Sequence, residues 1–359
     1  MRSLHVITSD ARRGAETFAV GLARQLSQGG DVARVVALMP AAEGARLDVP
    51  LLGARRRSVT TLRNLRRAAR SADVVVAHGS STLEACAVGL RGTGIPFAYR
   101  TIGDPSYWVT SPRRRRLVRV MLQQASLNVV LWPGAASQLV TDFGVPADRI
   151  QVIANAVPQA EFPVVSDQDR AVSRQRFGVP DGAPCLAFVG ALSPEKGVDA
   201  IVDAVGELEE VVVLIAGDGP DRRLLEKRAQ DLPPGRVRFL GPVTDPIAVY
   251  AAADLVLLPS RTEGMPGVII EAGLCGTATV ASAVGAVPHM LEDGVTGFLT
   301  RPDDPGYLAA TIRTALPHAR SAGGRAAEHF ATGYTLESVA EAWRGALADL
   351  SRTGVDDGA

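Results

Sequence analysis

The sequence predicts an α/β protein built from two doubly wound, Rossmann-like domains, each with its own parallel sheet. Three observations carry this. Short apolar, β-branched runs alternate with helix-length stretches along the chain. At 359 residues the chain is too long for one ordinary core. The alternation lapses once, from about Asn155 to Ser173, into Pro-, Val- and Asp-containing sequence of the kind that links domains.

In the first half the predicted strands are 4–8, 34–38, 73–78, 96–100, 128–132 and 150–154, with helices over 16–27, 61–70, 81–90, 114–124 and 135–143. In the second half the strands are 185–189, 211–216, 237–240, 255–258, 277–281 and 297–300. This gives a first domain over 1–160 and a second over 174–333. Ligands of doubly wound sheets bind beyond the carboxyl ends of the strands, so the loops after the strands are where chemistry is expected.

Composition narrows the function classes. Apolar residues make up 47%, as in a packed globular protein. Nothing reaches 18 consecutive apolar residues, and the N-terminal Met1-Arg-Ser-Leu-His-Val-Ile-Thr reads as a strand, not a signal peptide. Cys86, Cys185 and Cys275 are far apart and form no Cys-x-x-Cys pair, which argues for a reducing cytoplasm and against structural zinc. Net charge is zero, but the halves differ. Residues 1–180 carry 24 Arg and 13 acids, or +11, and residues 181–359 carry 14 Lys+Arg and 25 acids, or −11. The first half is expected to meet something anionic, unless its arginines are simply solvated helix faces. The basic residues are not interleaved with aromatics, so nucleic acid is not expected.

The chain is organised around Ser260-Arg-Thr-Glu263-Gly264-Met265-Pro266-Gly-Val-Ile-Ile-Glu271. A strand ends just before it and a helix follows, with Pro266 suited to the first turn. Glu263 falls in the loop, and Glu271 some 7–8 Å beyond the helix start at about 1.5 Å per residue. A helix start favours an anion such as a diphosphate, and carboxylates can accept bonds from the hydroxyls of an attached ribose and sugar. The plain alternative is that Glu263 caps the helix and Glu271 is a solvated helical residue. Lys196, one of only two lysines in the chain, lies in Val-Gly190-Ala191-Leu-Ser-Pro-Glu195-Lys196-Gly197, another strand-to-helix turn, and can neutralise a diphosphate as a point charge. It can also be an exposed turn lysine. Ala216-Gly217-Asp218-Gly219 supplies Gly-x-Gly without the third glycine of a dinucleotide fingerprint, which disfavours a nicotinamide enzyme. Gly14 opens the first strand-to-helix turn, where its backbone can approach a ligand closely. Asp167-Gln-Asp169 has a chelating pattern but follows no buried strand and reads as solvated, so no metal site is expected.

In combination these residues resemble family 4 of the retaining glycosyltransferases, which have the GT-B fold, two Rossmann-like domains facing a cleft. The resemblance is strongest from Gly190 to Gly297. It is weaker in Gly14-Ala-Glu16, Ala77-His78-Gly79 and Asn155-Ala156-Val157. It implies a nucleotide-diphosphate sugar, UDP- before GDP-linked, in the second domain. Lys196 and Gly190 would lie at the diphosphate, Glu271 at the ribose, Glu263 with Gly264, Met265 and Pro266 at the donor sugar, and Gly217 and Val243 near the nucleotide. Gly14 would approach the phosphates, and the first domain would hold a small-molecule, glycan or lipid-linked acceptor. Glu263, Lys196, His78 and Arg100 are the implied catalytic residues, with no metal or other cofactor. A C-terminal helix over 334–350 would return to the first domain.

Three positions depart from the family pattern. Ala191 stands where an Arg is usual, Arg13 precedes Gly14 where Gly-Gly is common, and Arg100 stands where a His is frequent. Arg100 cannot act as a base near neutral pH, which turns any role there into an electrostatic one. A nucleotide-sugar epimerase and a non-catalytic sugar-nucleotide-binding partner share the architecture and are the competing readings. The run Arg113–Arg116 with Arg119 adds the expectation of peripheral contact with an anionic membrane, at its inner face.

Overall fold

The structure is a computed structural model that describes residues 1–42, 44–103, 109 and 111–356, with side chains to residue 352. The chain divides into two compact units. Unit 1 is Met1–Val157 with the segment from Leu336, and unit 2 is Pro158–Thr335.

Unit 1 alternates β1 (Arg2–Ser9), α1 (Gly14–Gln28), β2 (Val32–Met39), α2 (Val59–Ala69), β3 (Val74–His78), α3 (Ser80–Gly89), β4 (Phe97–Arg100), α4 (Pro112–Gln124), β5 (Leu127–Val130), α5 (Pro133–Phe143) and β6 (Ile150–Val152). All pairings are parallel, in the order β2-β1-β3-β4-β5-β6. Helix ends follow local chemistry: Ser58 and Ser111 cap α2 and α4 by accepting from Thr61 N–H and Arg114 N–H. α1 buries Phe18, Leu22 and Leu26 at a four-residue spacing.

Unit 2 continues with α6 (Asp167–Arg176), β7 (Cys185–Val189), α7 (Val198–Gly206), β8 (Val212–Ala216), α8 (Arg222–Ala229), β9 (Val237–Gly241), α9 (Pro246–Ala252), β10 (Leu255–Leu258), α10 (Gly267–Leu274), β11 (Ala278–Ser282), α11 (Val287–Met290), β12 (Phe298–Thr300), α12 (Pro305–Ala315) and α13 (Ala319–Gly333). The parallel order is β12-β11-β10-β7-β8-β9. The order reverses between β7 and β10, so the loops leaving those two strands flank the switch point, where such sheets bind ligands.

The final helix, α14 (Leu336–Asp356), belongs to unit 1. Its Leu336, Val339, Trp343, Leu347 and Leu350 share one core cluster with Phe18, Leu22 and Leu26 of α1 and Val74, Val76 and Ala98 of the sheet. It runs to Asp356, past the Leu350 at which the sequence pattern ends it.

Each of the twelve predicted strands is present. The stretch read as a linker differs, because α6 begins inside it and runs three residues past its end. α6 starts with a capping box, in which Ser166 accepts from Asp169 N–H and Asp169 accepts from Ser166 N–H, and it packs against α9. Only Ser173 of this helix is buried. It has no apolar stripe for a periodicity argument to find. Asp167 pairs with Arg320, and among the described residues no group of His, Cys, Asp and Glu is arranged to hold a metal.

The three cysteines are free and buried. Among the described residues no helix is long and apolar enough to cross a membrane.

Candidate functional site

The loops that leave β7 and β10 are built against each other. The first tightens into a turn over Pro194–Lys196 and passes through Gly197 at φ 63°. A Cβ on Gly197 would lie 2.3 Å from the Pro259 carbonyl oxygen, so the conformation and the close approach both require glycine. Arg261, in the second loop, fastens the two together. Its backbone N–H donates to the Glu195 carbonyl at 2.9 Å. Its guanidinium reaches Asp199 at 2.8 Å, Asp303 at 2.6 Å and the Pro194 carbonyl. Burial pushes the Asp199 carboxyl up, but the bond and charge of Arg261 outweigh it and hold the group below its ordinary value. On the far side, Gly285 at φ 57° brings its backbone onto the Glu263 carbonyl, where a Cβ would sit 1.9 Å away. Ala286 N–H donates to the Gly264 carbonyl at 2.9 Å.

Between these fastenings lie the two charges that the sequence singles out. Lys196 Nζ is 2.7 Å from Glu263 Oε1, which also accepts from Ser260 Oγ at 2.7 Å. The Glu263 side chain is 8% exposed and the Lys196 side chain 26%. The cation is therefore neutralised by a carboxylate of its own chain, and a ligand phosphate must compete with Glu263 for it.

α10 begins at Gly267, with Pro266 as N-cap and no side chain capping its first turn. Pro266 thus stands just before the helix and not in its first turn. Glu271 is four residues past Gly267, which at about 1.5 Å per residue is ~6 Å into the helix and a little nearer its start than the sequence reading placed it. Glu271 Oε2 accepts from the buried Tyr250 hydroxyl at 2.6 Å. Burial raises the Glu271 carboxyl above its ordinary value; the Tyr250 bond draws it back down, and the charge of Glu161 adds to the rise. Burial also raises Tyr250, whose phenol keeps its proton and donates.

The remaining predicted positions lie in the same loops or near them. Gly190 N–H donates to the Ala216 carbonyl at 3.0 Å and Gly217 N–H to the Gly241 carbonyl at 2.8 Å, which laces together the turns after β7, β8 and β9. Met265 is buried. Val243 is half-buried against the cluster that contains Val179 and Cys185.

In unit 1, Gly14 starts α1, exposed, with open space where a side chain would go. His78 and Arg100 end the adjacent strands β3 and β4, and both are buried, at 2% and 1% exposure. His78 Nε2 meets His5 Nδ1 at 3.1 Å, and burial, His5 and Arg100 all push its ring well below the ordinary value. Arg100 Nη2 donates to Asn155 Oδ1 at 2.8 Å, and its guanidinium lies 3.7 Å from the Phe18 ring centre. The two lie together, closed over and not presented at the surface.

Sequence reasoning missed Tyr250, Arg261, His5 and Trp343 as members of these clusters. Arg261 adjoins the central motif and could have been weighed with it. The other three carry no local signal, because only the fold brings them to their partners.

Two family models match this chain, one described as Glycosyltransferase Family 4 over residues 12–161 and one as Glycosyl transferases group 1 over residues 183–318. The chain belongs to the family 4 (group 1) glycosyltransferases. Among curated relatives of this chain is the D-inositol 3-phosphate glycosyltransferase of Mycolicibacterium smegmatis, 36% identical over 241 residues, covering 64% of this chain and 55% of that protein. The protein of that name from Salinispora arenicola is also 36% identical, over 51% of this chain and 45% of its own length. The chain thus spans about half the length of the curated relatives it matches. Among solved structures, Anabaena HepE in complex with UDP and glucose aligns with a TM-score of 0.87 at 22% identity, over 97% of this chain and all of that one. Sucrose-phosphate synthase from Thermosynechococcus elongatus aligns at 0.82 with 19% identity, over 98% of this chain and all of that one. The fold of this chain is GT-B.

Proposed function

We propose that the chain is a retaining glycosyltransferase that moves a sugar from a nucleotide-diphosphate sugar, UDP- in preference to GDP-linked, to an acceptor held by unit 1, without a metal ion. The observation that carries this reading is the Lys196–Glu263–Ser260 cluster at the switch point of unit 2, beside the uncapped start of α10. A diphosphate entering there draws Lys196 away from Glu263 and receives the positive end of α10. The released Glu263 carboxylate then accepts bonds from the donor sugar's hydroxyls, and Glu271, held by Tyr250, takes the ribose. Charge that develops on the departing diphosphate is met by groups already in place. Glu263 is read as a group that binds sugar hydroxyls and not as a nucleophile, so attack is on the front face, the leaving phosphate taking the acceptor's proton.

UDP-sugars are the first donors to try, since HepE was crystallised with UDP and with UDP-glucose. A phosphorylated polyol is the first acceptor to try, given the printed name of the curated relatives. The test follows release of UDP or GDP from several nucleotide sugars, with and without acceptor and with and without EDTA, and reads the anomeric configuration of the product by NMR. Acceptor-dependent release that survives EDTA, with retained configuration, is expected. Donor conversion without acceptor would indicate an epimerase instead. Donor binding with no turnover on any acceptor would favour a non-catalytic partner.

The basic face of unit 1 is part of this proposal. On α4, Arg113, Arg114, Arg116 and Arg119 are exposed beside Leu117, 55% exposed, and Val120, 44% exposed. That mixture suits an anionic bilayer surface, each Arg contributing about 1 kcal/mol near it. Co-sedimentation with phosphatidylserine vesicles at low salt is expected, and it should weaken at high salt. A wild-type protein that stays in the supernatant at low salt would remove the membrane contact.

A further inference from the structure

Buried polar groups are nearly always hydrogen-bonded, and a buried charge without a partner is costly. Among the described residues of unit 1 the exceptions are Asn128 Oδ1, which stands singly, and a group at the ends of β3 and β4. Arg100 Nε and Nη1, His78 Nδ1 and Trp343 Nε1 are all buried with no hydrogen-bond partner, and Thr101 Oγ1, buried with them, lies beside the Tyr99 hydroxyl. Arg100, His78 and Trp343 belong to one cluster around Phe18, and Thr101 follows Arg100 in the chain. Arg100 lies 3.7 Å from its ring centre, the His78 and Trp343 rings lie 6.2 Å and 6.4 Å from it, and His78 and Trp343 are 6.3 Å apart. Among the described residues no carboxylate forms an ion pair with Arg100; the one hydrogen bond of its guanidinium there is to the neutral Asn155 amide.

The geometry points to an anion seat at the carboxyl ends of β3 and β4, in which Arg100, Thr101 and His78 hold a phosphate-like group of the acceptor. This rests on the reading of unit 1 as the acceptor unit and deepens it by naming the residues that would hold the phosphate of such an acceptor. The guanidinium is still cationic near neutral pH, because burial lowers it only to about 9. His78 joins as a neutral donor. Ser3 Oγ lies 3.2 Å from His5 Nε2, and His5 Nδ1 lies 3.1 Å from His78 Nε2. If each donates along that line, the remaining proton is on His78 Nδ1. An anion selects this tautomer over the reverse, which would leave a lone pair there. The seat is closed in this structure. Arg100 is held by a single hydrogen bond and a ring contact, and it swings from Phe18 toward the entering group.

The experiment measures binding of inorganic phosphate to the full chain by calorimetry, against chloride at equal ionic strength, with UDP titrated in parallel. The wild type is expected to bind phosphate. Arg100→Gln should weaken that binding about tenfold or more, the loss of a charge-assisted bond, while UDP binding stays within twofold. Lys196→Ala should do the reverse. Should Arg100→Gln not fold, Thr101→Val and Trp343→Phe decide, and each should weaken phosphate binding severalfold while leaving UDP binding unchanged. The proposal is overturned by a response that chloride reproduces, by phosphate binding unaffected in these variants, or by phosphate binding lost in Lys196→Ala. It is also overturned if Arg100→Gln loses UDP, which would put the donor's diphosphate at Arg100. None of these readouts needs turnover, so a failure here is separable from a failure of the transferase reading.

Discussion

Lys196 and Arg100 are each a cation at the carboxyl edge of a parallel sheet, and the protein treats them in opposite ways. Lys196 is partly open and already matched by Glu263. Arg100 is sealed and has no matching anion among the described residues. The first arrangement can be kept ready at little cost, but any phosphate must displace an internal competitor. The second is a standing strain on unit 1 that a ligand would relieve. Ligand at Lys196 is thus an exchange of partners, while ligand at Arg100 supplies a partner that was missing.

The largest way to break the comparison is to open unit 1. Trp343 has no exposed surface and sits between α1 and the sheet. Trp343→Ala should cost about 3–5 kcal/mol in denaturant unfolding. A much smaller loss would mean that the Arg100 cluster is not enclosed as described.

Next in size, Lys196→Ala should weaken donor use by roughly 10- to 150-fold, or about 1.5–3 kcal/mol, with the melting temperature nearly unchanged. Equal donor KM and kcat in a folded variant would remove Lys196 from the site.

Tyr250→Phe removes the donor to Glu271 and should cost on the order of 1.5 kcal/mol at neutral pH. The sign with pH follows from the bond, which favours the ionised carboxylate. Burial has raised Glu271 above its ordinary value, so the group is neutral below that raised value and charged above it. The stability gap between variant and wild type should therefore be widest at neutral pH and narrow as pH falls through the raised value. A gap that widens on acidification would contradict the assignment.

The smallest effect sharpens the notion of an internal competitor. Glu263→Gln should tighten binding of UDP alone by a few fold, since Lys196 loses its partner, while sugar transfer falls. Weaker UDP binding would show that Glu263 orients Lys196 and does not compete for it.

Much of this was legible in the sequence, for a physical reason. Strands buried on both faces, such as β3 and β8, are continuous apolar runs, and the loops after them carry the Gly, Lys and Glu that no core would need. Lys196 and Glu263 stood out because charged residues follow the strand ends, and Glu271 because of its spacing from Glu263 in the helix that follows. α6 was missed because capping and a few polar contacts, not an amphipathic stripe, hold it. The pairing of Lys196 with Glu263, and the packing of Arg100 and Trp343 against Phe18, depend on residues 67, 82 and 325 positions apart. No local pattern reports on such distances.

The return of α14 to unit 1 also sets an order of events on the ribosome. The apolar stripe of α1 is made well before the side chains of α14 that cover it. The whole of Pro158–Thr335 is synthesised in between. At about 5–20 residues per second, that is a delay of roughly 10–35 s. Unit 2, continuous in sequence, can fold during that interval, while Phe18, Leu22 and Leu26 stay uncovered until Trp343 and Leu347 leave the exit tunnel. Truncation before Leu336 should therefore leave unit 2 soluble and cooperative, and unit 1 dependent on chaperones.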